Sequence, residues 1–591
     1  MTHLRARSRS TIMVTALLVV ASVMPGAQQK HAPPIVIETV QVNIVNVEIV
    51  VTDREGRSIS GLESGDFEVF EDGKPIRITN FYAAVGGRPA PPPGAPSPAG
   101  EAVQEQAAPT PEAQALGLVF FIDNANLTIS RRTAIFEQVR SLLRQGLQTG
   151  GAQVLLATSG GAVRIRQPFT SDEQALLAAV EHLEHEVGEA RGGSERNPLL
   201  TRLMGSAAAP AEAGTSGGRG ISSQDFDRQN ALSIREDVRS AAEEAYQQTR
   251  VTLNALTQFV DSLAGLPGRK ALVYVGEGVP MRPGEALLQE WEAAFRNYDP
   301  TFNAVAEAGR YAVNREFGEM IRRANSARVT FYCVDGSPDS GSAGVSAERA
   351  SMTADPTSSI MNAHNLRQSL ESMAGATGGR TLAAGPNLAT TLARTVEDFQ
   401  TYYSLGYAAP HIGDGKYHEI EVRVKREGAR TRYREGYLDR APDERTAERN
   451  LSALLFGTVS NPLGLAVTVA PAEKQKGDTF MVTLSITVPL GNLVFLPREE
   501  VHEGSVSLWM ATRDADDRLS APGKKTFPVR IPNDQLQSAL GQLGSFTFQM
   551  LVNKGPQRVA VTLRDELSQT DSTAVASFTT DAAATGATGP T

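Results

Sequence analysis

Leu118–Ile122 is an uninterrupted apolar run that stops at Asp123, inside the stretch LGLVFFIDNANLT (116–128). A strand without hydrophobic/polar alternation is buried on both faces, the condition of a parallel sheet covered by helices. Residues 131–145 follow with Ile135, Val139, Leu142 and Leu143 at helical spacing. The alternation then repeats. Val154–Thr158, Ala162–Arg166, Ala271–Val275, Val329–Val334 and Gly378–Leu382 read as strands. Asp172–Leu183, 228–264, 284–326, Asn365–Ala374 and Leu388–Phe399 read as helical. Strands separated by helices predict an α/β doubly wound central domain over 116–440, with a β-rich exit at 402–438. Asp123 is then placed at the C-terminal end of its strand, where open α/β sheets form their ligand crevices.

A chain of 591 residues is too long for one core, so further domains are expected. Arg5, Arg7 and Arg9 precede the apolar run Ile12–Met24 and the small residues Gly26 and Ala27. That pattern predicts a signal peptide over 1–27 and a mature start near Gln28, with an uncleaved anchor as the alternative. No later segment offers the roughly 18 consecutive apolar residues of a membrane helix. Period-two patterns and the turn Glu71-Asp72-Gly73 make 36–85 an N-terminal β module. Residues 86–115 read as a Pro/Ala-rich linker, and 188–225, rich in Gly, Ala and Ser, as an insertion. Seven strand patterns with intervening turns over 455–580 predict an Ig-like β-sandwich, and 581–591 a disordered tail. Cys333 stands alone, so no internal disulfide is available, and its setting VTFYCV predicts an inert core thiol.

Several strings, in order, resemble exported bacterial von Willebrand factor A (VWA)-related proteins. They are VEIVVTDREGRSISGLESGDFEVFEDGKPIRITNFY, LPGRKALVYVGEGVP, ANSARVTFYCVDG, MAGATGGRTL and FQTYYSLGYAAPHIGDGKYHEIEVRVKREGARTRYREGY. The resemblance covers about 41–440 and implies a VWA-like domain that holds a divalent ion at the top of its sheet. The implied ligands are an Asp-x-Ser-x-Ser loop, a Thr from a second loop and a later Asp. Such oxygens suit a hard cation, and an open position lets a partner's carboxylate complete the shell. Here Asp123 matches the first Asp, Ala125 and Leu127 replace both serines, and Glu277 stands where the later Asp would be. The expected metal ligands are therefore Asp123 and Glu277, in a weak or vestigial site for Mg²⁺ or Mn²⁺, and no other cofactor is expected. Two further roles are open to Asp123: a helix cap or loop hydrogen-bond acceptor, and a ligand that needs a partner's help.

Two enzyme motifs are missing: there is no His-Glu-x-x-His and no Gly-x-x-x-x-Gly-Lys-Ser/Thr. His182 and His185 are three apart on a predicted helix, with no further ligand nearby in sequence, and read as a solvated face. The charges alternating with Ile420, Val422 and Val424 read likewise. A net charge of −9 argues against a general nucleic-acid surface. The sequence thus predicts an exported, periplasmic or extracellular, non-enzymatic binding protein. Its partner is a protein or surface polymer, engaged through Asp123, Asn124, Asn126, Ser159, Glu277 and Asp335. The alternatives are a scaffold subunit of an envelope complex and a hydrolase whose catalytic groups converge from separate loops.

Overall fold

Parallel strands need covered faces and long crossovers, and the central sheet has both. The computed structural model describes residues 44–85, 88–90, 117–124, 127, 132–147, 153–159, 163–186, 223–336, 356–383, 388–516 and 518–580. The predicted signal peptide, the tail from 581, most of the linker and nearly all of the insertion lie outside the described residues. The described chain divides into two compact units, one ending at Asp439 and the other beginning at Arg440, the latter also taking Ala264–Leu266.

The larger unit opens with β1 (Ile44–Thr52), β2 (Phe67–Glu71), β3 (Lys74–Ile76), β4 (Asn80–Val85) and β5 (Arg88–Ala90). There follow β6 (Gly117–Asp123), α1 (Arg132–Leu147), β7 (Gln153–Ser159), β8 (Val163–Thr170), α2 (Glu173–His185) and α3 (Ser223–Leu263). Next come β9 (Lys270–Gly276), α4 (Glu285–Phe295), α5 (Ala304–Ala308), α6 (Asn314–Ser326), β10 (Val329–Asp335), α7 (Pro356–Ala376), β11 (Arg380–Ala383) and α8 (Leu388–Gln400). The unit closes with β12 (Tyr402–Ala408), β13 (Tyr417–Val424), β14 (Arg430–Arg432) and β15 (Gly436–Leu438).

Six strands form the central sheet in the order β8-β7-β6-β9-β10-β11. All neighbours are parallel except β8, which runs antiparallel to β7 at the edge. The chain enters at the centre, walks outward to β8, and returns to the centre at β9 before walking out to β11. Direction of travel therefore reverses between β6 and β9. Leu118, Phe120 and Ile122 pack with Ile135, Phe136 and Val139 of α1, Leu176 and Val180 of α2, and Phe399 of α8. Phe121 points the other way along the strand. It meets Phe259 of α3 with ring centroids 5.4 Å apart and stacks on Tyr274 at 5.9 Å. Both faces of β6 are thus filled with apolar groups, each stabilising by about 1.5–3 kcal/mol when fully buried.

The strands before and after this sheet build a two-sheet assembly together, which corrects the reading of 36–85 as a module of its own. β12 lies between β1 and β4 in the order β14-β1-β12-β4-β5, and β13 lies between β15 and β2 in the order β15-β13-β2-β3. Val47 stands opposite Leu405, and Val69 opposite Val422. Their shared core includes Val47, Ile49, Phe67, Val69, Leu405, Tyr407, Ile420 and Val422. The charged residues between those of β13 face outward, as their alternation predicts. Arg88–Ala90, inside the expected linker, is paired as β5 with β4. The hairpin β2–β3 turns through Asp72 (φ 50°) and Gly73 (φ 75°), the two left-handed residues that a type I′ turn needs.

In the C-terminal unit, α9 (Pro442–Phe456) precedes β16 (Ala466–Val469), β17 (Glu473–Lys474), β18 (Thr479–Pro489), β19 (Leu496–Pro497) and β20 (Val501–Arg513). β21 (Gly523–Pro532), α10 (Leu536–Leu540), β22 (Leu543–Asn553), β23 (Pro556–Asp565) and β24 (Thr570–Thr579) complete it. β18 carries β16, β17 and β22; β20 carries β19, β21 and β23, which in turn pairs β24. Val482, Leu484 and Ile486 of the first sheet share a core with Leu508, Val561 and Leu563 of the second. Helix α9 lies outside the predicted boundary at 455, yet its Leu454 packs on Ala511 and Ala560. Its buried Asn450 donates to the Trp509 carbonyl at 3.3 Å and to Thr562 Oγ1 at 3.1 Å.

Candidate functional site

The register of the central sheet brings four of the predicted residues to one edge. Asp123 is level with Ser159 across β6 and β7, Asp335 with Gly276 across β10 and β9, and Glu277 follows directly. This edge holds the C-terminal ends of β6 and β9, the pair between which the chain reverses, and is where the crevice of an open sheet belongs. Asp123, Ser159 and Asp335 are buried and Glu277 is half-buried. The Arg367 guanidinium stands 4.0 Å from Asp335.

Asp123 is engaged from below. Tyr274 Oη donates to Asp123 Oδ2 at 2.6 Å. Burial first, and then the adjacent Asp123 carboxylate, push the Tyr274 phenol well above its usual range, so it keeps its proton and remains a donor. Gly276 makes the contact possible: a Cβ there would stand 3.0 Å from Tyr274 Cε1 and 3.1 Å from Asp123 Cβ. Asn124 is turned to a different task. Its side-chain oxygen accepts from Arg132 Nη1, while Arg132 Nη2 donates to the carbonyls of Leu183 and Glu186, each at 2.6 Å. That guanidinium ties the loop after β6 to the last turn of α2, where carbonyls lack helical partners. Leu127, at the second serine position of the resemblance, is buried among Ile135 and its neighbours. Ala125, Asn126 and Thr128 lie outside the described residues.

These donors do not fit a hard divalent cation. One oxygen of Asp123 accepts a phenol proton, the Asn124 oxygen accepts a guanidinium proton, and Leu127 offers no electron pair. Mg²⁺ demands about six oxygens near 2.1 Å and dehydrates reluctantly. His182 and His185 are exposed on α2 and belong to no metal-capable grouping among the described residues. Cys333 is fully buried, and burial pushes its thiol up, as an inert core thiol requires.

A second constellation was not legible from the motifs. His411 and His418 stack with ring centroids 3.7 Å apart and planes 14° from parallel. His411 Nε2 lies 2.9 Å from Glu71 Oε1, and Nδ1 lies 3.0 Å from Asp439 Oδ2. His418 Nδ1 lies 2.8 Å from Asp72 Oδ2, and Nε2 lies 3.2 Å from Asp414 Oδ1. Glu71 Oε2 in turn accepts from the phenols of Tyr407 (2.6 Å) and Tyr437 (2.9 Å), both held protonated by burial and by Glu71 itself. Burial pulls the His411 imidazole down, but its bonds to Asp439 and Glu71 prevail and leave it raised. His411-x-x-Asp414-x-x-x-His418 is the signal the sequence carried. Glu71 is 340 residues away from His411 in sequence, and no local pattern joins them.

No protein-family model matches the chain, and no curated protein matches it. Solved structures to which it is similar include the von Willebrand factor type A protein from Catenulispora acidiphila. There the identity is 9%, the match covers 79% of this chain and 65% of that one, and the TM-score is 0.18. Three N-terminal domains of the type V pili tip protein Mfa5 from Porphyromonas gingivalis match at 9% identity over 78% of this chain and 70% of that one, with a TM-score of 0.22. An aerotolerance-related membrane protein from Bacteroides fragilis matches at 8% identity over 48% of this chain and 98% of that one, with a TM-score of 0.19. Likenesses at this level name no ligand and no activity for this chain.

Proposed function

We propose that this chain is an exported, non-enzymatic, adhesion-type binding protein. A VWA-like α/β domain with a degenerate metal site engages a protein or surface polymer, and an Ig-like β-sandwich follows it. The binding face is the loop edge beside Asp123, Ser159, Glu277 and Asp335, where loops on a rigid sheet are positioned for contact. The observation that carries the reading is the Tyr274–Asp123 hydrogen bond at the point where the sheet reverses. It occupies the carboxylate that a metal-dependent site of this kind would use, so capture by this face proceeds without an ion. Among the described residues no helix is long and apolar enough to cross a membrane.

The test is calorimetric titration of Mg²⁺ and Mn²⁺ into the full chain. The expected result is no affinity tighter than about millimolar, the weak end for oxygen-ligand sites, and no movement of the melting temperature. Micromolar affinity abolished by Asp123→Ala would overturn the metal-independent reading.

A further inference from the structure

The His411–His418 pair poses a problem of protons. A neutral imidazole has one N–H and one lone pair. Here all four ring nitrogens face carboxylate oxygens, at 2.8–3.2 Å. With neutral rings, two of these contacts would set a nitrogen lone pair against an anion. A second ring proton, or a cation bound between the facing atoms, removes that conflict.

Asp414 Oδ1 is itself held by the Lys416 backbone N–H at 2.8 Å, and the lone pairs are assigned by taking the hairpin carboxylates as the acceptors of the ring protons. Glu71 and Asp72 are consecutive residues at the hairpin turn, and both are fixed independently of the histidines. Glu71 is held by the two phenols, and Asp72 Oδ1 accepts the Glu419 backbone N–H at 3.0 Å. They are placed to accept N–H from His411 Nε2 and His418 Nδ1, as a carboxylate behind a metal-binding histidine does. That leaves His411 Nδ1 and His418 Nε2 as electron-pair donors, facing Asp439 and Asp414. The backbone N–H of Asp414 also donates to Asp439 Oδ2 at 3.2 Å, which ties the two acidic residues together. Ligand atoms of His411, Asp414 and Asp439 lie within 4.8 Å of one another. Ligands about 2.0–2.1 Å from a tetrahedral Zn²⁺ stand about 3.3–3.4 Å apart. The His411 nitrogen–Asp439 oxygen separation of 3.0 Å is within a few tenths of an ångström of that spacing.

We propose that His411, Asp414 and Asp439 form a binding site for a divalent transition-metal ion of the Zn²⁺ class, with Glu71 orienting the His411 imidazole and His418 stacked beside it. Mixed imidazole and carboxylate donors select Zn²⁺ and its neighbours over Mg²⁺ or Ca²⁺. The ligands come from the loop after β12 and from the residue after β15, while the orienting carboxylate comes from the hairpin between β2 and β3. Bound metal therefore clips the first hairpin to the strands that return more than 300 residues later. The site is separate from Asp123 and does not depend on how that edge functions.

Zn²⁺ alone is titrated into the untagged, metal-stripped full chain by calorimetry, and Co²⁺ is added in parallel for its visible d–d spectrum. We expect one Zn²⁺ per chain at micromolar affinity or tighter, a raised melting temperature, and a nitrogen-ligated tetrahedral Co²⁺ spectrum. His411→Ala and Asp414→Ala abolish binding, Glu71→Gln weakens it about 10–100-fold, and Asp123→Ala leaves it unchanged. Asp414 is partly exposed, so its variant keeps the test open if a buried substitution prevents folding. Absence of both Zn²⁺ heat and the Co²⁺ spectrum in the unaltered protein overturns the proposal. So does Zn²⁺ binding that survives in a folded Asp414→Ala variant.

Discussion

A carboxylate at the end of a parallel strand is satisfied by a helix or loop N–H, by a metal ion, or by a neighbouring side chain. At Asp123 a side chain takes part, and the residue that allows it is two positions from the phenol: Gly276 has no Cβ, so Tyr274 reaches across to the carboxylate. A hydrogen bond to a buried carboxylate is worth about 1.5–3 kcal/mol, and leaving that acceptor short of a donor forfeits it. Tyr274→Phe keeps the ring and its stacking on Phe121 while removing only the hydroxyl. The expected outcome is a loss of about 1.5–3 kcal/mol of stability, read from the urea-unfolding midpoint. An unchanged midpoint would show that the bond contributes nothing. None of this was legible in the sequence. Asp123 stood out because it ended an apolar run, but Tyr274 lay inside another apolar run and looked like one more core residue.

Elements were legible where their own pattern decided them. The runs at 118–122 and 271–275 show no alternation because helices cover both faces, and the turn at Asp72-Gly73 shows itself because only certain residues take positive φ there. Helix α9 was not legible, because its buried positions include Thr446, Asn450 and Ser452, polar residues that a search for an apolar stripe passes over. Their partners explain them. Thr446 and Arg449 reach Asp571, and Asn450 reaches two atoms of the sandwich sheet. A helix tied to a sheet by polar groups cannot leave without exposing unsatisfied partners, such as the Thr562 hydroxyl and the Trp509 carbonyl. The C-terminal unit expressed as 440–580 should therefore melt cooperatively, and 457–580 should be less stable by at least about 2 kcal/mol, given the lost bonds and the Leu454 contact. Paired thermal melts followed by far-UV circular dichroism compare the two, and equal midpoints would show that α9 is a bystander.

At the scale of the molecule, what sequence patterns cannot convey is which strand pairs with which. The strings before and after the central sheet each look like a β module, because period-two alternation is local while pairing is not. The structure gives β12 two neighbours, β1 and β4, both from the beginning of the chain. Those two do not pair with each other, since β12 lies between them. The middle of β12 is buried, with Tyr403, Leu405 and Tyr407 in the shared core. Remove the first strands and β12 becomes a strand with two open edges and an uncovered apolar face, a template for intermolecular pairing. β13 loses β2 at the same time, and the His411–His418 pair loses Glu71 and Asp72. A chain starting at residue 117 should therefore form its central sheet but aggregate, whereas one starting at residue 28 stays monomeric. Size-exclusion chromatography with light scattering at matched concentration separates the outcomes. If the 117–591 chain eluted as a monomer with an unchanged melt, the strands before the central sheet would be an appendage, not half of the assembly they build with 402–438.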